Sequence, residues 1–202
     1  MNRSVIILFI VASAYLLTGC VTYTTLQTAQ TLPPGKIMVG AGTAVILSDN
    51  SPELMPELDA RVGLVKNFDI GAKYSAPSLY FVDGKIQVMS EPFALSADLG
   101  WSTFNYTDNT AISKGVSTGW YPMLMIGKEH WYAGVKGVYF ETKGQVEFFG
   151  LKKFQGSGWM YTSVVVGGML GSTFRLLPEV NVIIPRGGKV FFVPAIGLQI
   201  VP

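Results

Sequence analysis

The chain has 202 residues, with 15 Lys and Arg against 13 Asp and Glu, a formal net charge of +2. Charged residues make up only 14% of it, against about 25% in an ordinary soluble domain, and no basic cluster offers the surface a nucleic acid would need. Cys20 is the sole cysteine, which excludes an intramolecular disulfide and any metal site built from several thiolates.

The first stretch begins Met1-Asn2-Arg3-Ser4 and continues through an apolar run from Val5 to about Leu16. A short basic start, an apolar core and small residues before a cleavage point make a secretory signal peptide. The run is short for a membrane span of about 20 residues. It closes in Leu17-Thr18-Gly19-Cys20, which resembles the lipobox of bacterial lipoproteins. The resemblance implies removal of residues 1–19, a diacylglycerol on the Cys20 thiol and an N-acyl lipid on the new amino terminus, with no other cofactor. It also implies the lipoprotein processing and sorting machinery as partners. Val21 follows the cysteine, where in that family an Asp would favour inner-membrane retention, so the expected location is the bacterial outer membrane. Loss of Arg3 leaves 14 Lys and Arg against 13 acids, a net charge of +1.

Residues 20–36 read as a lipidated cysteine followed by a flexible tether. Val21–Lys36 is rich in Thr and Gln and ends in Pro33-Pro34-Gly35; fully extended it would reach roughly 50 Å. Its run Gln27–Lys36 (QTAQTLPPGK), leading into a glycine-containing strand, resembles the lead-in of poorly characterised bacterial lipoproteins with a barrel-like domain.

Residues 37–202 form one domain with no helical period. Strand-like segments fall near 37–47, 57–65, 68–75, 79–89, 93–104, 115–127, 131–141, 159–170, 173–184 and 190–200. Several alternate with period two. Leu58, Ala60, Val62 and Leu64 oppose Asp59, Arg61 and Gly63; Phe93, Leu95, Ala97, Leu99 and Trp101 oppose Ser96, Asp98, Gly100 and Ser102. That is the pattern of a sheet with one apolar face. Tight links (Lys66-Asn67, Ser90–Pro92, Lys128–His130, Gly171-Ser172) alternate with longer ones (Ser48–Pro56, Asn105–Lys114, Thr142–Gly158), as in an up-and-down barrel with short turns at one rim. The fold class is therefore all-β, a single antiparallel up-and-down β-barrel of about 8–10 strands after a signal helix and a tether. Eight results if 68–75 and 79–89 merge, and Val138–Phe149, turning at Lys143-Gly144, could form an extra hairpin.

The polar face carries Gly, Ser, Ala and isolated charges: Asp59, Arg61, Asp69, Lys73, Lys85, Asp98, Lys136, Arg175 and Glu179. Small residues suit a narrow interior, and five bases against four acids could pair and plug a lumen. The same bases could instead line a narrow path for small anions. Tyr74, Trp101, Trp120, Trp131, Tyr139, Trp159, Tyr161 and Phe192 could form interface girdles or fill a soluble core. Three features oppose a simple membrane barrel. Segments 159–170 and 190–200 are apolar on both faces; Pro122, Pro178 and Pro194 fall inside strands; and the chain ends in Val201-Pro202 rather than the aromatic residue common in outer-membrane barrels.

No catalytic motif stands out. His130, the sole histidine, sits in a tight turn, and no nucleophile elbow surrounds Ser113 or Ser117 to make a triad with Glu129. The glycines Gly40, Gly42, Gly167 and Gly168 lack a following helix, so close backbone approach explains them better than phosphate binding. Thr142–Gly158, with Val146, Phe148, Phe149, Leu151, Lys152, Lys153 and Phe154, is a candidate contact for lipopolysaccharide or another surface partner, or equally a flap folded back over the barrel mouth. The expected function is that of an outer-membrane lipoprotein, lipid-anchored in the bilayer, with a structural or surface-interaction role and no enzymatic activity. The alternatives are a lipid-tethered module facing the periplasm that binds a hydrophobic ligand in an apolar cavity, and then a narrow pore.

Overall fold

A computed structural model describes residues 23–47, 52–75, 79–107, 114–148 and 151–202, with side chains described except at 47, 104–107, 114–116, 142–148 and 151–155. The signal segment, Cys20, Ser113 and Phe149 lie outside the described residues. Ten strands follow one another: β1 (Ile37–Leu47), β2 (Pro52–Val65), β3 (Phe68–Ser75), β4 (Leu79–Met89), β5 (Ala94–Thr107), β6 (Lys114–Lys128), β7 (Trp131–Phe148), β8 (Leu151–Gly168), β9 (Phe174–Pro185) and β10 (Phe191–Ile200). Each pairs antiparallel with its sequence neighbours. β1 also pairs with β10 from Val39↔Ile200 to Ala44↔Ala195, which closes a single barrel. Closure leaves the sheet without a free edge. The segments 68–75 and 79–89 are separate strands, so the larger of the expected counts holds.

The tight links at 66–67, 90–93, 129–130 and 169–173 gather at one rim, together with the start of β1 and the end of β10; this is the short-turn end. The opposite ends of the strands make the other rim, the loop end. Asn67 (φ 64°) and Gly171 (φ 96°) take the left-handed backbone that such turns need. Two expected loops prove to be strand. Pro52–Pro56 belongs to β2, and most of Thr142–Gly158 is hairpin, with Thr142↔Gly156, Val146↔Phe154 and Phe148↔Leu151 paired. The reversal at Lys143-Gly144 does not form, because β7 continues through it.

The strand prolines are accounted for by where the ladders stop. Pro56 is one residue past the last β2–β3 pair, Pro178 one past the last β8–β9 pair, and Pro194 one past the last β10–β1 pair. Pro122 lies in a gap of the β6–β7 ladder between Trp120↔Tyr139 and Met123↔Lys136. Each position has no ladder bond for the missing N–H to donate.

The expected tether is where the structure departs most from the sequence reading. Tyr23–Gln27, Ala29 and Leu32 are buried, and the segment lies inside the barrel. It enters at the short-turn end, where the Gly35 amide donates to the Gly63 carbonyl (2.8 Å) and the Gly63 amide donates to the Lys36 carbonyl (2.9 Å). It reaches Tyr161 and Phe191 near the loop end, against which Tyr23 packs at ring-centroid distances of 5.8 and 5.9 Å. Only glycine permits the entry: a Cβ on Gly63 would lie 2.1 Å from the Pro33 carbonyl oxygen. We expect Gly63→Val to lift the chain off β2 at a cost of about 2–3 kcal/mol. The readouts are a lower temperature for heat-modified gel migration and faster tryptic cleavage at the exposed Lys36; unchanged values would contradict this packing.

Candidate functional site

Alternation places two unlike faces on one wall. The outward positions of β10 read Phe192, Pro194, Ile196, Leu198 and Ile200, and those of β2 read Leu54, Pro56, Leu58, Ala60, Val62 and Leu64. Leu58, Leu124 and Leu198 are 59%, 62% and 63% exposed. Inside, Asp69 is 0%, Lys85 1% and Glu179 3% exposed. The segments that read as apolar on both faces resolve in the same way. Val164 and Val166 face out while Val165 faces in, and a bulge where Val138↔Tyr161 passes to Tyr139↔Trp159 lets both Met160 and Tyr161 turn inward. Tyr161 therefore belongs to the lumen rather than to an aromatic girdle.

The charges are brought together as an inner network. Arg61 on β2 bridges Asp69 on β3 and Asp83 on β4, with Asp98 on β5 at 3.9 Å. Lys73 contacts Glu57 at 3.1 Å, and Lys85 lies 3.7 Å from Asp69. Cross-strand pairing explains the adjacency, since Asp69 faces Lys85 and Lys85 faces Asp98 in the ladders. Arg175 does not join them. Its guanidinium donates to the Ser172 carbonyl (2.8 Å) at the short-turn rim, because β9 begins only one residue earlier. Glu57 and Asp83 take part without having been expected. Glu57 stood at the start of the expected segment 57–65 and Asp83 inside 79–89, and each has the inward parity of its strand. The corrected inventory among the described residues is four bases (Arg61, Lys73, Lys85, Lys136) and six acids (Glu57, Asp59, Asp69, Asp83, Asp98, Glu179).

The internal segment balances the acid excess through its main chain. The amides of Thr25 and Leu26 donate to the two carboxylate oxygens of Glu179, each at 2.7 Å. Leu26 has a left-handed backbone (φ 45°), the kind of bend that aims successive amides at one anion. Glu179 also accepts from the Tyr132 hydroxyl (2.8 Å) and the Asn181 amide (2.7 Å). Lower down, the Leu32 amide donates to Asp69 (2.8 Å) and the Thr31 amide to Gln87 (2.9 Å). The cations take the carbonyls: Lys136 that of Thr24 (3.0 Å), Lys73 that of Thr25 (3.1 Å), and Lys85 those of Thr28 (2.9 Å) and Gln30 (3.0 Å). Gln199 donates to the Leu26 carbonyl at 2.7 Å. Side chains fix the register. Thr24 donates its hydroxyl to Glu57, Gln27 donates to Asp98, and Leu26 packs over Gly42, where an added Cβ would come within 2.4 Å of it.

Little space remains. A cavity of about 20 Å³ beside Thr25, Gln27, Asp59 and Arg61 has room for about one water molecule. The large apolar hollow, about 740 Å³, lies on the outer wall over Ala60, Val62, Ile70, Ala72, Val82 and Leu99. The apolar face thus does not line the interior cavity that the tethered-module alternative requires. His130 is exposed in the β6–β7 turn, whereas Ser117 is buried toward the opposite end of β6, so the two do not meet. Among the described residues no group of three or more His, Cys, Asp or Glu is placed to hold a metal ion.

No family model matches the chain, and no curated protein matches it. Among solved structures it is similar to the attachment invasion locus protein of Yersinia pestis, Ail, solved with the heparin analogue sucrose octasulfate. Identity is 8%, the match covers 82% of this chain and 95% of that one, and the TM-score is 0.28, a likeness too slight to carry a function across.

The two arginines separate network from rim. Arg61→Met strands Asp69 and Asp83 and is expected to cost about 3–5 kcal/mol, whereas Arg175→Ala stays within about 0.5 kcal/mol. Urea unfolding midpoints in detergent check the pair; similar costs for both would contradict the inner network. Glu179→Gln keeps the shape but sets a non-accepting NH2 against two of the four donors and leaves the other two on a neutral oxygen, with an expected loss of about 2–4 kcal/mol by the same measurement.

Proposed function

We propose that the protein is an outer-membrane β-barrel lipoprotein, anchored through lipid on Cys20, whose lumen is closed by its own N-terminal segment and whose role is structural or one of surface contact. The observation that carries this reading is the inverted polarity of the wall. A soluble barrel would hide its leucines and show its charges to water; this one does the reverse, as a wall against hydrocarbon must.

Aromatic pairs support the placement. Phe93 and Trp131 meet near the short-turn end (ring centroids 6.1 Å apart), and Tyr139 and Trp159 meet nearer the loop end (5.7 Å). Trp131 to Tyr139 spans about 27 Å of strand, or about 20 Å along the axis at a tilt near 40°, comparable with the apolar band of about 25 Å of such barrels. Beyond that belt β7 and β8 continue as a two-stranded ribbon to Phe148 and Leu151. We assign to this ribbon the contact with lipopolysaccharide or a surface partner, on the strength of its projection and its Lys143, Lys152 and Lys153. The filled lumen disfavours a pore.

The experiment is carbonate extraction of Cys20→Ala, exported behind a non-lipoprotein signal. Retention in the outer-membrane pellet, with heat-modifiable migration, is expected; release as a soluble periplasmic protein would overturn the membrane reading.

A further inference from the structure

We propose that the lumen is a peptide-binding site that reads main chain, with residues 23–32 as its resident ligand, and that it accepts an extended polypeptide in trans once that ligand is detached. Three observations carry this. Barrel side chains meet the segment largely at its backbone: Glu179, Asp69 and Gln87 take amides, while Lys136, Lys73, Lys85 and Gln199 take carbonyls. Peptide-binding proteins that add a strand to a sheet edge gain affinity in the same way, through main-chain bonds, and leave selectivity to a few pockets. A closed barrel has no edge to offer, and here charged side chains do that work.

The second observation is how little the side chains of the segment decide. Thr28 is only half-buried and Gln30 is exposed. The register is set by Tyr23 against Tyr161 and Phe191, and three residues on by Leu26 over Gly42 and Gly197. Thr24 and Gln27 donate to Glu57 and Asp98, Thr24 also accepts from Lys73, and the Thr31 hydroxyl donates to the Gln87 oxygen that its amide already meets. The ligand class is accordingly an extended peptide with an aromatic residue, a leucine three positions later, and small or polar residues beyond.

The third is the covalent connection. Between Leu32, held by Asp69, and the first residue of β1 lie only Pro33–Lys36, all exposed. Cutting there would leave every lumen contact in place and turn the segment into a separate ligand. The proposal rests on the lumen geometry and is independent of the membrane reading, since it can fail in detergent while carbonate extraction succeeds, and the reverse.

The test uses the full chain with a protease site inserted at the exposed Pro34-Gly35 junction, folded intact in detergent and then cut. A fluorescein-labelled peptide of residues 21–34 is added and its anisotropy followed. We expect slow uptake by the cut protein and none by the uncut, heat-modifiable control. Methylation of the Thr25 and Leu26 amides removes both donors to Glu179 and should weaken competition at least about tenfold, the loss of roughly one charge-assisted hydrogen bond. Exchanging Thr28 and Gln30 should change it less than about threefold. Absence of uptake, equal uptake by the uncut protein, or undiminished competition by the methylated peptide would each overturn the proposal.

Discussion

One carboxylate holds the centre of the barrel. Glu179 receives the amides of Thr25 and Leu26, the hydroxyl of Tyr132 and the amide of Asn181, so four donors converge on an ion with 3% exposure. An ion so far from water is tolerable only when its hydrogen bonds are made, and half of these come from a stretch more than 150 residues away in sequence. The dependence runs both ways. Buried in the lumen, the segment has no β-partner, and its amides and carbonyls need the ions of the wall as much as those ions need it. Leu26 holds a left-handed backbone there, which costs about 1–2 kcal/mol and is repaid by two charge-assisted bonds to one anion.

The wall divides its work along the same line. Outward residues are apolar and touch neither the segment nor one another's partners across the lumen, so they leave the interior free to be chosen for charge. Inward, glycine and ionic positions interleave. Gly42 and Gly63 let the internal chain approach the strands, while Arg61 links β2, β3 and β4 from the inside as the ladders link them within the sheet. Four bases against six acids would be an unfavourable interior by themselves. With the main-chain amides of Thr25, Leu26 and Leu32 turned toward Glu179 and Asp69, the excess of acid finds its donors.

Period-two alternation made the strands, their faces and the tight turns legible, because each is a local property of a few consecutive residues. Lys73, Lys85, Lys136, Asp69 and Asp98 were readable as inward from parity alone. Where parity breaks, reading fails. The bulge beside Met160 turns Tyr161 inward, and Arg175 sits too close to the end of β9 to reach the network. Glu57 was hidden at the start of its expected segment, whereas Asp83 lies inside 79–89 with the parity of Lys85 and could have been read from it. The larger miss, a Thr- and Gln-rich stretch read as tether, has a physical reason. It carries no hydrophobic period because neither a sheet nor a helix binds it; side chains scattered over β2, β3, β4, β5, β7, β8, β9 and β10 do, and such long-range partners leave no local mark. Gln27, Gln87, Asn181 and Gln199 escaped notice in the same way, being polar without charge.

The central claim is that residues 23–32 are a fixed part of the interior, held by their main chain. Hydrogen exchange of the Thr25, Leu26 and Leu32 amides, followed by NMR on the folded protein in detergent, tests it most directly. Protection comparable with that of central strand amides such as Val182 is predicted, since those protons are buried and donated to carboxylates. Exchange at the rate of an unstructured peptide, in a barrel whose strand amides remain protected, would contradict it.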